Sequence, residues 1–185
     1  MNWIVFLVVT WFSFGLELGL RDALRLSPGE IAPSFVIPVA VYVALSAPPK
    51  QVLWSAILLG VLVDLTWMIP RTDAAAAAWV LGPNALGMLV AVQFVLAVRG
   101  MVIRKHPLTL VVLSIVGAAI MQTVVVALLT LHAVYGDPIA FNPTGELITR
   151  LGSSLYTGAT AFIWAIALRL VDPFFRFQHV RGRRH

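Results

Sequence analysis

Two carboxylates stand inside stretches that otherwise read as hydrocarbon. Asp64 follows Leu59-Gly60-Val61-Leu62-Val63 and precedes Leu65, and Glu17 lies within Gly15-Leu16-Glu17-Leu18-Gly19. An ionised carboxylate at mid-bilayer costs about 2.5–3.5 kcal/mol on insertion scales, so each acid must face a bundle interior or reach an interface. Two uses are open: a polar site that holds a partner or ligand, or an interhelical hydrogen bond that locks the fold. The sequence offers three side-chain partners: Arg150 at the start of the last apolar segment, Arg71 just after Pro70, and Asn84 within Gly82-Pro83-Asn84-Ala85-Leu86-Gly87. Pro83 removes a backbone donor and predicts a kink that frees a carbonyl near Trp79. Gly82 and Gly87 beside it permit close backbone approach.

Other chemistries find no residues. His106, His132, His179 and His185 lack ligand spacing and no H-E-x-x-H stands in the chain, so neither a metal nor a cofactor is expected. Gly152-Ser153-Ser154-Leu155-Tyr156 invites comparison with a serine nucleophile turn, but Tyr156 replaces the final glycine of G-x-S-x-G. Small residues at Ser154 and Gly158, like the G-x-x-x-G at Gly15 and Gly19, instead suit close helix contact within the chain or with a partner. The chain has no cysteine, which excludes disulfides and thiol catalysis. A non-enzymatic role is the expectation.

The elements that must position these residues are membrane helices. Hydrophobic residues make up 60% of the 185 and charged residues 11%, less than half the share in a soluble domain. Apolar segments run over Trp3–Leu20, Ile31–Leu45, Val52–Ile69, Ala74–Val98, Leu108–Tyr135 and Leu147–Val171. The reading is a single all-α polytopic bundle over residues 1–185, with six spans and a basic tail over about 172–185. The second segment is short for a hydrocarbon core of about 30 Å and carries Pro33 and Pro38, so five spans remain open. With six spans, Lys50, Arg99, Arg104, Lys105 and the arginines of the C-terminal end lie inside. With five, Arg21 and Arg25 join them and the N-terminus moves outside. Both arrangements put the C-terminus in the cytoplasm, where a basic tail meets anionic lipid rather than nucleic acid. Trp3, Trp54, Trp67, Trp79 and Tyr135 fall near segment ends, as interfacial aromatics do. The first segment has no preceding Lys or Arg and no small-x-small cleavage site, so it reads as a retained helix.

Leu59-Gly60-Val61-Leu62-Val63-Asp64-Leu65, with Pro70 six positions after the acid, resembles the G-L-x-x-D-L…P stretch of the rod shape-determining protein MreD family. The layout is similar over most of the chain. A short proline-containing segment precedes a basic turn (Pro48-Pro49-Lys50), then comes the acid-bearing helix, and Asp172-Pro173-Phe174-Phe175 closes the last helix. Arg71-Thr72 stands where family members often have Leu-Gly, and the Ala74–Ala78 run is unusual, which puts the usual contacts after Pro70 in doubt. The resemblance implies a fold similar to the membrane substrate-binding subunit of energy-coupling-factor vitamin transporters. It also implies a scaffold in the bacterial cytoplasmic membrane, bound to an MreC-like bitopic protein and through it to MreB, a penicillin-binding protein and a RodA-type polymerase.

Scaffold and transporter subunit make different demands on the same residues. A transporter subunit needs a sizeable pocket near Glu17, Asp64 and Asn84 with polar groups converging on it. For a scaffold the expectation is that side chains fill this space and that small residues line an exposed helix face. The second arrangement is the one expected here.

Overall fold

The computed structural model describes residues 1–26, 31–66, 68, 80–103, 106–135 and 142–175. It is an all-α bundle of α1 (Trp3–Leu24), α2 (Val36–Ser46), α3 (Pro49–Thr66), α4 (Pro83–Val98), α5 (Pro107–Val134) and α6 (Pro143–Phe175). Four of these helices open on proline, whose fixed φ suits the first turn and whose missing N–H would have no intrahelical partner there. An isolated pairing of Leu26 with Ile31 draws together the connection between α1 and α2.

Helices α1, α3, α5 and α6 are long and apolar enough to cross a membrane, whereas α2 and α4 are shorter. At 11 residues α2 rises only about 16 Å, well short of a bilayer core. Its position explains how it tolerates this: α2 packs against all five other helices. Val36, Val39, Val43 and Ala44 have no exposed surface. Backbone that ends at membrane depth is permitted where protein or a cavity surrounds it, and α2 is wrapped on every side. The second apolar segment is therefore the hub of the bundle and not a span of its own length.

Small residues set the closest approaches. A Cβ on Gly60 of α3 would overlap the Cα of Ala85, and one on Gly87 of α4 would stand 2.8 Å from the carbonyl oxygen of Met121 on α5. Gly158 of α6 faces Ile115 of α5, where a Cβ would come within 2.7 Å, and Ser154 one turn away is buried. Gly15 and Gly19 behave differently: nothing lies within 4 Å of a Cβ at either. Among the described residues, their G-x-x-x-G packs no other helix.

Three expectations need correction. Pro83 does not kink a longer helix; it is the first residue of α4, and the helical reading of residues 74–82 fails at least over 80–82. Gly82 serves by its backbone angle rather than by close approach, with φ at +120° and open space beside it. The last helix runs past the segment end expected at Val171: it closes within Asp172-Pro173-Phe174-Phe175, at Phe175, which is fully buried and packs edge-on to Tyr42 with ring centroids 5.6 Å apart. The Tyr42 hydroxyl donates to Asp172, and the Asn2 amide donates to the Phe175 carbonyl at 2.8 Å. Thus residues 172–175 belong to the bundle. Pro70, Arg71, Trp67, Trp79, Ala74–Ala78, Arg104, Lys105 and the tail beyond Phe175 lie outside the described residues.

Candidate functional site

The two acids of the apolar helices do the same thing in two places. Helix α4 starts with glycine at its N-cap, so no side chain of its own satisfies its first amides. Asp64, reaching across from α3, fills that role. Its Oδ2 accepts from the Gly82 amide at 2.9 Å and the Ala85 amide at 3.2 Å. Its Oδ1 accepts from the Asn84 amide and from Asn84 Nδ2, both at 3.0 Å. Asp64 is 1% exposed, and its negative charge lies at the positive end of the α4 dipole. Gly60, one turn earlier on α3, lets the backbones come close enough for this reach.

Helix α2 is built on the same plan. Its N-cap, Phe35, has no oxygen to offer, and Glu17 from α1 supplies one. Glu17 Oε2 accepts from the Phe35 amide at 2.9 Å, the Val36 amide at 3.0 Å and the Ser34 hydroxyl at 3.0 Å. Ser34 Oγ in turn accepts from the Val36 and Ile37 amides. In both cases the first capped amide lies 18 residues after the acid. The hairpins α1–α2 and α3–α4 thus repeat one device: a long helix whose acid caps the short helix that follows.

The far end of α2 is held by a charge of the opposite sign. Arg99, just past α4, donates from Nη1 to the carbonyls of Ala47 at 2.9 Å and Ala44 at 3.4 Å. A cation on the last carbonyls complements the negative end of the dipole. Arg99, by sequence one of the loop cations expected to face the cytoplasm, is a helix cap. No sequence motif marks it, because the carbonyls it serves lie 52 and 55 residues earlier, at the end of another helix.

Neither acid pairs with Arg150, contrary to the pairing offered by the sequence. Arg150 Nε donates to Glu146 one turn back at 3.0 Å, and its Nη1 donates to Gln122 Oε1 on α5 at 2.9 Å. Asn84 does bond Asp64, by backbone and side chain alike.

What brings these residues together is a cavity of about 580 Å3 to which all six helices contribute. Glu17, Ser34, Asp64 and Asn84 line it, Met121 and Val125 give it an apolar wall, and Gln122 and Arg150 border it from α5 and α6. Arg21, Asp22 and Arg25 from the end of α1 complete it, with Asp22 and Arg25 exposed. The expectation that side chains fill this space is therefore overturned. Two helices that stop short, α2 and α4, leave volume beyond their starts that no side chain among the described residues occupies.

No family model, curated protein or solved structure matches this chain. Among the described residues no group of His, Asp and Glu side chains gathers in a metal-binding set. Chemically, the site can cap helix starts and offer polar contacts to something within the cavity.

Proposed function

We propose that this chain is a non-enzymatic scaffold subunit of the bacterial cell-elongation machinery, seated in the cytoplasmic membrane beside an MreC-like bitopic protein. Through that protein it would meet MreB filaments, a penicillin-binding protein and a RodA-type polymerase. The observation that carries this reading is the joint role of Gly60 and Asp64. These residues underlie the resemblance to the MreD family, and together they fix the start of α4, with every close contact of the acid spent inside the chain. A motif consumed by internal geometry suits a rigid platform better than a site that turns over a substrate. The open face at Gly15 and Gly19 supports the same reading, because a partner helix could approach there closely.

Affinity purification from native membranes, with identification of the copurifying chains, tests the proposal. Recovery of a bitopic membrane protein with cell-wall synthesis enzymes is the expected result. Recovery of a membrane coupling protein with ATPases, and none of the former, would refute it.

That second outcome belongs to the alternative, a substrate-binding membrane subunit of an energy-coupling-factor-type vitamin transporter. The cavity of about 580 Å3 bordered by Glu17, Asp64 and Asn84 favours it, since a ligand pocket of a few hundred cubic ångströms with a few placed polar groups is what such a subunit needs.

A further inference from the structure

The cavity's polar groups are not equally available. Asp64 spends both oxygens on the first amides of α4, Glu17 spends Oε2 on the first amides of α2 and shares the Ser34 hydroxyl between its two oxygens, and the positive ends of those helices offset the charge of both acids. Glu146 is engaged by Arg150 Nε. Arg150 is held at two points, on Glu146 and on Gln122 Oε1, which leaves its Nη2 without a partner among the described residues. Because Gln122 Oε1 is occupied by that contact, Gln122 Nε2 is a second donor beside it with no partner among the described residues. Asn84 gives its Nδ2 to Asp64, and its Oδ1 is an acceptor with no partner among the described residues. Arg21 also borders the cavity.

We propose that this cavity binds a molecule bearing a carboxylate or phosphate group, its oxygens received by Arg150 Nη2 and Gln122 Nε2, with an N–H or O–H of the same molecule donated to Asn84 Oδ1. A guanidinium fixed at two points and left with one free edge is a prearranged receptor for an oxyanion, since its orientation costs nothing further on binding. The apolar wall of Met121 and Val125 fits a carbon skeleton between the two polar ends. The same chemistry is presented by a small soluble acid and by an anionic lipid headgroup. The inference rests on the cavity that favours the alternative reading, but it does not require transport.

The test uses the full-length chain in an uncharged detergent and in phosphatidylcholine nanodiscs. Inorganic phosphate is titrated in detergent with thermal unfolding as the readout, because a ligand that binds only the folded state raises Tm. Phosphatidylglycerol is added to the nanodiscs, and its retention is followed by native mass spectrometry. Wild type should bind at least one probe; phosphate binding identifies a soluble acid and phosphatidylglycerol alone identifies a headgroup. Arg150→Gln should weaken that binding at least about tenfold, the loss of a charge-assisted bond, while Arg169→Gln on the same helix keeps it. Gln122→Glu preserves the Arg150 contact but replaces the donor by a negative oxygen, so it should abolish binding with the fold retained. Absence of binding to both probes in wild type, or unchanged binding in folded Gln122→Glu, overturns the proposal. A headgroup-only result would end the transport reading and leave this one standing. Copurified transport ATPases with no binding of either probe would do the reverse.

Discussion

Replacing Asp64 by alanine removes the acceptor for three backbone amides and one side-chain amide at the start of α4. Each amide that loses its partner where water is scarce costs about 1–3 kcal/mol, and loss of an N-cap alone costs about 0.5–2 kcal/mol. The cavity beside Asp64 admits water to part of this surface, which favours the low end of each range. About 1 kcal/mol for each of the three backbone amides gives a loss of about 3 kcal/mol. Asp64→Asn keeps the shape and one acceptor oxygen but gives up the charge against the α4 dipole, so about half that loss is expected. Lys50→Ala, at the exposed start of α3, should lie within about 0.5 kcal/mol of wild type. The assay is reversible unfolding in detergent micelles followed by loss of tertiary structure, with yield as a second readout. If Asp64→Ala unfolds with the same free energy as Lys50→Ala, Asp64 is not the cap described here and the reasoning fails.

Glu17→Ala should also be destabilising, by about 1–3 kcal/mol, because Phe35 then lacks an acceptor and Val36 keeps only its longer contact to Ser34 Oγ at the start of the central helix; the same unfolding assay checks it. Gly60→Ala should cost about 1–3 kcal/mol through a forced separation of α3 from α4, whereas Gly15→Ala, with open space around it, should leave the isolated chain unharmed or slightly stabler. If the α1 face receives a partner helix, Gly15→Leu should reduce copurification of that partner at unchanged stability. Arg99→Ala should loosen the C-terminal end of α2 by about 1–2 kcal/mol, and Arg99→Lys, lacking the planar fork, should restore only part of it; unfolding free energies of the two variants compared with wild type decide this.

The helical class of this chain is legible because the hydrocarbon core demands long apolar runs, and α1, α3, α5 and α6 satisfy that demand in sequence. The role of α2 was not legible. Its fifteen-residue apolar stretch reads as an inadequate span, and only the packing of five helices around it explains why a short helix is sufficient. Asp64 and Glu17 stand out as acids in apolar surroundings, but sequence spacing points only to side-chain partners. Their actual partners are backbone amides, which every residue carries and no residue type advertises. A usable signal was nevertheless present. Phe35 and Gly82 begin helices without a capping oxygen, and each lies 18 residues beyond an unexplained acid. The sequence names the residues a pocket would need but not whether it is filled, because the cavity arises from where two helices begin, and Pro83 reads as a kink although it marks a helix start.

The central claim is that two acids secure the starts of two short helices from a neighbouring helix. Amide hydrogen exchange of the full chain in micelles, resolved at Phe35, Val36, Gly82, Asn84 and Ala85, measures that directly. In wild type these amides should be protected; in Asp64→Ala the last three should lose protection by at least about tenfold while Phe35 and Val36 keep theirs, and Glu17→Ala should give the mirror pattern. Fast exchange at all five amides in wild type, or protection that neither substitution changes, would contradict the account.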